Sequence, residues 1–207
     1  MFDNQTKKFC SAVVDALPND ISEDVMQGWI GNPKGLQKFL HGLCPPADAE
    51  SPLDTTIHID RSVKPIYPDW VKKVMCPELE CAGPTDYDLT KDVELWLHDG
   101  QKNGRLMKGQ AIYDYLLKTT NTLASYLNLQ DGLAIQQKGI VVFRKLFGGK
   151  AVFLWGSVVR DRDGGLVVPY LYAGGVKVVL DWRWLRSGWV GSNPAARLAS
   201  STRTLVS

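Results

Sequence analysis

The segment Val178 to Leu185, VVLDWRWL, constrains the fold of this chain more than any other stretch. As a strand it places Val178, Leu180, Trp182 and Trp184 on one face and Val179, Asp181, Arg183 and Leu185 on the other. Two indoles of roughly 150–250 Å² each on one face anchor a strand against a core. The charged pair is left for solvent or a partner. Upstream, IVVF, AVFLWGSVV and LVVPYLY have the same β character and are separated by the turns FGGK, RDGG and AGG. Everything before Gln136 reads mainly as helix and loop. Helices first and strands afterwards predict an α+β fold with a mainly antiparallel sheet.

The N-terminal part supplies the helices. Phe2 to Leu17 carries a loose helical spacing that stops at Pro18. Ser22 ahead of Glu23 and Asp24 predicts a second helix, with Val25, Met26, Trp29 and Ile30 as its apolar face. Asn32-Pro33 starts a third, with Leu36, Phe39 and Leu40 as its stripe and Gly42 as its end. Residues 1–43 therefore read as a helical unit, 44–54 (CPPADAESPLD) as a linker, and 55–207 as the main domain. Within that domain a strand is expected at Thr56 to Ile59 and a helical turn at Trp70 to Met75. CPELECAGPTDYDL reads as a loop and Val93 to Leu97 as a strand ending at DGQKNG. One further helix carries Ile112, Tyr115 and Leu116; another carries Leu129, Leu133, Ile135 and Gln136, with Gly132 weakening it.

At 207 residues the chain suits one medium domain with a short addition. Its formal charge of +2, with Lys and Arg spread along the chain, disfavours nucleic acid as the main ligand. No apolar run approaches the roughly 20 residues of a membrane span, and the start lacks a signal-peptide core. Cys10, Cys44, Cys76 and Cys81 are too sparse for a disulfide framework, so a cytoplasmic protein with reduced thiols is expected.

Catalytic patterns are scarce. His41, His58 and His98 are isolated, and no HExxH, GxSxG or phosphate-cradling glycine motif occurs. His58 and Asp60 share a strand face and His98 precedes Asp99; with Cys76 or Glu78 these are the residues from which a small metal-dependent hydrolase would be built. The expectation is no metal, no cofactor and no catalytic group. Cys76 and Cys81 read as buried structural thiols. The loop RSGWVGSNP sets Arg186, Ser187, Val190 and Ser192 around Trp189. A structural protein using this tryptophan-rich end as an oligomer interface is the third reading, and the oligomeric state is open.

The strand ending in WRWL, the loop with GW and the terminal NPAARLAS resemble the C-terminal variable region of proteins diversified by diversity-generating retroelements. The segments QQKG, LWGSVVRD and VPYLY are similar to segments of variable proteins of candidate-phylum bacteria. The resemblance covers about the last 150 residues in outline. It implies a C-type-lectin-like fold with a variable region at about residues 168–200 that recognises a macromolecular ligand, first of all a protein. In that family, adenine randomisation of AAC or AAT codons reaches most residues but not Trp, Met, Gln, Glu or Lys. The resemblance therefore implies variable contacts at Ala173, Gly174, Val176, Asp181, Arg183, Arg186, Ser187, Val190, Gly191 and Ser192. It implies fixed scaffold at Trp155, Trp182, Trp184 and Trp189.

Overall fold

The computed structural model describes Lys8, Ser11 and residues 22–43, 53–118 and 123–199. Apart from Lys8 and Ser11, the helix expected over Phe2 to Leu17 lies outside the described residues, as do Cys10, Cys44 and most of the proline-rich segment. The chain divides into two compact units, Met1–Pro52 and Leu53–Ser207.

In the first unit both helix starts are capped for the reason read from the sequence. Ser22 Oγ accepts from the Val25 N–H (3.4 Å) at the head of α1 (Glu23–Gly31), and Asn32 Oδ1 accepts from the Gly35 N–H (2.9 Å) at the head of α2 (Pro33–Leu43). α2 runs through Gly42 rather than ending there. The expected apolar face of α1 is not buried: Val25, Met26, Trp29 and Ile30 are all exposed.

The second unit contains β1 (Thr56–His58), β2 (Val71–Val74), β3 (Asp86–Asp88), β4 (Val93–Trp96), β5 (Met107–Lys108), α3 (Gly109–Lys118), α4 (Leu129–Gln137), α5 (Gly139–Phe147), β6 (Val152–Phe153), β7 (Val159–Asp161), β8 (Leu166–Gly174), β9 (Lys177–Trp184), β10 (Gly188–Trp189) and β11 (Ala195–Leu198). It is an α+β arrangement with a mostly antiparallel sheet of seven strands. β8 is its spine. One edge of β8 pairs with β9 along its whole length; the other pairs with β7 at Leu166 and Val167 and with β6 at Tyr170 and Leu171. Pro169 falls between those two partners, where a missing N–H breaks no ladder bond, and its carbonyl still accepts from Leu154 N–H at 3.0 Å. β6 continues to β11 in parallel and β11 to β4 antiparallel.

Residues that alternate along β8 and β9 bury two different cores. Leu171 and Val178 meet Ile135, Val142, Phe143 and Phe147 of α4 and α5. Val168 and Leu185 meet Ile112, Tyr113 and Leu116 of α3, together with Phe153, Trp155 and Trp189. The sheet thus carries helices on both faces. Among the described residues no helix is long and apolar enough to cross a membrane.

A buried polar knot, absent from any motif in the sequence, ties the 60–84 segment to the head of α4. Asn128 and Asp131 form a capping box. Arg61 Nη2 lies 2.5 Å from Asp131 Oδ1, with side chains 9% and 4% exposed, and also reaches the carbonyl of Pro84. Tyr87 Oη donates to the same carboxylate at 2.9 Å, and Asn128 Nδ2 donates to Leu79 O at 2.8 Å. Burial pushes the Asp131 carboxyl up, while Arg61, the Asn128 N–H and Tyr87 oppose that shift.

Five sequence expectations are corrected. IVVF is helical, in α5, because Ile140, Phe143 and Phe147 keep the 3.6-residue period, Arg144 and Lys145 suit the last turn, and Gly148 (φ 60) ends it. The segment expected as a helical turn, Trp70 to Met75, holds strand β2 (Val71–Val74): a bulge at Lys72 resets the alternation, so Val71 and Val74 acquire the spacing of three that imitates a helix. CPELECAGPTDYDL holds a 3-10 turn at Pro77–Leu79 and β3. Tyr113, not Tyr115, points inward from α3. Gly132, expected to weaken α4, lies within it and lets Leu154 pack close: a Cβ there would lie 2.3 Å from Leu154 Cδ1, so another residue fits only if Leu154 shifts.

Candidate functional site

β9 has no strand partner on its outer side among the described residues. The Leu185 N–H donates to Leu166 O at 2.8 Å, so in this register Arg183, Asp181 and Val179 aim their backbone groups at β8. Val178, Leu180, Trp182 and Trp184 aim theirs at the open edge. Part of that edge is covered from within: Gln136 Nε2 donates to Val178 O (3.0 Å), Asp181 Oδ1 accepts from the Trp182 N–H (2.7 Å), and the Ser187 N–H donates to Trp184 O (2.9 Å).

The face that holds Asp181 and Arg183 also holds two residues that the sequence reading passed over. Tyr170 stands opposite Asp181 and Tyr172 opposite Val179. Their rings stack at 5.7 Å, and Tyr170 stacks in turn on Phe153 at 4.9 Å. Tyr170 Oη donates to Asp181 Oδ2 at 3.1 Å, and its own ionisation is pushed up to about 12 by burial and by Asp181. The phenol therefore remains a donor throughout the neutral range. Arg183 lays its guanidinium 5.1 Å from the Trp189 ring centre and donates to Gly188 O at 2.7 Å. The alternation of Val168, Tyr170 and Tyr172 was visible in LVVPYLY; which strand they faced was not.

Beyond β9 the chain forms a loop with a rigid inner side. Trp189 is fully buried between Phe153 (5.3 Å) and Trp155 (5.9 Å), and β10 pairs with β5. Gln101 Nε2 donates to the carbonyls of Val190 (3.3 Å) and Asn193 (3.0 Å), and Asn193 Oδ1 accepts from the Val190 N–H (3.1 Å). The Ser192 carbonyl accepts from Ala151 N–H at 3.1 Å. The backbone is thus held at several points, while the side chains of Arg186, Val190 and Ser192 face outward and Gly191 is exposed.

The ten expected contact positions do not behave alike. Asp181, Arg186, Val190, Gly191 and Ser192 are exposed; Arg183 and Ser187 are half-buried. Val176, 90% exposed, sits at the tip of the β8–β9 hairpin beside Gly175 (φ 61), with Ala173 and Gly174 half-buried below it. Gly174 is crowded: a Cβ there would lie 2.6 Å from Val179 Cγ2, so other residues fit only if Val179 shifts. Of the four tryptophans, Trp155 and Trp189 are fully buried. Trp182 and Trp184 are only half-buried, because the helices on their face cover Val178 and Leu180 but stop short of the far end of β9.

The residues that would build a hydrolase are engaged separately. His58 Nδ1 pairs with Asp86 on the neighbouring strand, and Asp60 Oδ1 accepts from Ser62 N–H (2.9 Å) and Oγ (2.6 Å). His98 Nδ1 accepts from the Gly100 N–H (2.9 Å), capping a 3-10 turn, and lines a different cavity from His58. Cys76 and Cys81 are half-buried free thiols, and Cys76 Sγ lies 3.9 Å from Tyr113 Oη. Ser157 is buried, its Oγ accepting from the Leu129 N–H at 2.8 Å. Among the described residues no three His, Cys, Asp or Glu side chains are grouped to hold a metal ion. No family model, curated protein or solved structure matches the chain.

Proposed function

We propose that the Leu53–Ser207 unit is a non-catalytic, C-type-lectin-like ligand-binding domain. Its C-terminal surface is diversified by a retroelement to recognise varied macromolecular targets, proteins first among them. One observation carries the reading: within twenty residues, side chains that codon randomisation reaches alternate with tryptophans that it does not. Asp181, Arg186, Val190, Gly191 and Ser192 face outward, whereas Trp189 is completely enclosed. Substitutions at outward positions cost a fold little, usually within about 0.5 kcal/mol. Tyr170, Tyr172 and Arg183 add the aromatic and guanidinium groups that dominate binding energy at protein interfaces.

The test is in the adjoining DNA. A second, near-identical copy of the sequence encoding Val168 to Ser200, differing only at adenines, is expected beside a reverse transcriptase gene. Sequencing the locus and finding neither would remove the proposal.

A further inference from the structure

On the face of β9 opposite Asp181 and Arg183, Trp182 and Trp184 stand side by side at the end of the strand that the helices leave uncovered. Trp70 meets Trp182 edge-on, with ring centres 5.1 Å apart and planes at 89°. Trp184 is seated on the backbone of Gly165, where a Cβ would come within 2.2 Å of its ring. These three indoles wall a cavity of about 360 Å³ that Asp161, Asp163 and Arg162 also line.

Asp161 is the decisive group. It is 7% exposed, its Oδ1 accepts from the Gly165 N–H at 2.8 Å, and no cation pairs with it among the described residues. Neither neighbouring arginine forms an ion pair with it: Arg162, which also lines the cavity, donates from Nη2 to Asp69 O at 2.7 Å, and Arg160 Nη1 donates to Gly164 O at 2.6 Å. A buried carboxylate without a counter-charge is costly unless something supplies one. One ring of the set already attracts a cation, since the Arg186 guanidinium carbon lies 4.6 Å from the centre of Trp184.

We propose that this cavity binds an alkylated ammonium group, either as a small amine or as a methylated lysine side chain. Indole faces receive N-methyl groups without asking for hydrogen bonds, and the free oxygen of Asp161 takes a single N–H. An unmethylated ammonium is smaller and more strongly hydrated, so it gives up more water to enter a cavity walled by three indoles. The cavity lies on the face of β9 opposite Asp181 and Arg183 and meets the proposed variable positions only through Arg186 over Trp184, so the proposal goes beyond the function above and does not depend on it.

The test follows the indole N–H signals of Trp70, Trp182 and Trp184 by NMR while the full chain is titrated with trimethylammonium chloride or with tert-butanol, its neutral counterpart in shape. Saturable shifts of these three signals with trimethylammonium, at least about tenfold weaker with tert-butanol, are expected. Asp161→Asn keeps an acceptor for the Gly165 N–H and removes the charge; it should weaken trimethylammonium by about tenfold. Peptides carrying dimethyl-lysine or plain lysine separate the two sources: tighter binding of the methylated peptide than of free trimethylammonium assigns a side chain, and no gain assigns a small amine. Equal responses to trimethylammonium and tert-butanol overturn the proposal, and so does the absence of shifts. Because that comparison uses the unaltered chain, it decides even if Asp161→Asn fails to fold.

Discussion

Trp189 and Gly191 lie two residues apart in one loop, and the structure assigns them opposite tolerances. Replacing Trp189 by Ala empties a fully enclosed site against Phe153, Trp155 and the backbone of Gly109, where even a Cβ would lie 2.2 Å from the indole. Truncating a buried tryptophan costs about 3–5 kcal/mol. For a unit of this size each kcal/mol moves the melting midpoint by about 2–4 °C, so Trp189→Ala should melt about 6–20 °C lower. At Gly191 a Cβ would touch only Gln101 O, at the ordinary contact distance of 3.5 Å. Gly191→Ser should then stay within about 0.5 kcal/mol, or about 2 °C. Trp189→Phe falls between, since the indole Nε1 makes no hydrogen bond among the described residues and its removal strands no partner. Thermal melts by circular dichroism, supported by urea titration, measure all three. Comparable losses for Trp189→Ala and Gly191→Ser would refute the division of this loop into fixed and free positions.

Two further perturbations probe the scaffold. Arg61→Met leaves the Asp131 carboxylate buried without its cation and should cost about 3–5 kcal/mol in urea titration; a loss below about 1 kcal/mol would show that the knot is not needed. Asp88 has its carboxyl held down to about 2, from an ordinary 3.8, chiefly by the Thr90 hydroxyl and also by that of Thr55. A depressed carboxylate lends stability that is complete above about pH 4 and lost as pH falls toward 2. Asp88→Asn should therefore flatten the fall in melting temperature over that acid window, and an unchanged slope would count against it.

How much of this was legible beforehand depended on how local the signal was. The alternation of Val178 to Leu185, the glycine turns and the caps at Ser22 and Asn32 are read within a few residues, and the chain folds as they indicate. IVVF misleads because its β-branched residues signal strand locally, whereas the longer spacing of Ile140, Phe143 and Phe147 sets the helix. The bulge at Lys72 and the inward turn of Tyr113 depend on partners far away in sequence. So do the pairing of Tyr170 with Asp181 and the knot of Arg61, Tyr87, Asn128 and Asp131, whose members are as much as 70 residues apart. The half-burial of Trp182 and Trp184 is of the same kind, because strand period assigns a face but not how far its cover extends.

The hydrogen bond from the Trp182 N–H to Asp181 Oδ1 gives one surface residue two duties. It presents a charge to whatever the face meets, and it blunts an unpaired strand edge that would otherwise template another chain. A small apolar residue at that position would keep the fold yet leave the edge adhesive between Leu180 and Trp184. Natural variation there would then be filtered twice, once by what it binds and once by whether the protein stays dispersed at high concentration. If the position varies as proposed, Asp and Asn, whose short side chains can reach back to the following N–H, would be over-represented among the versions that persist.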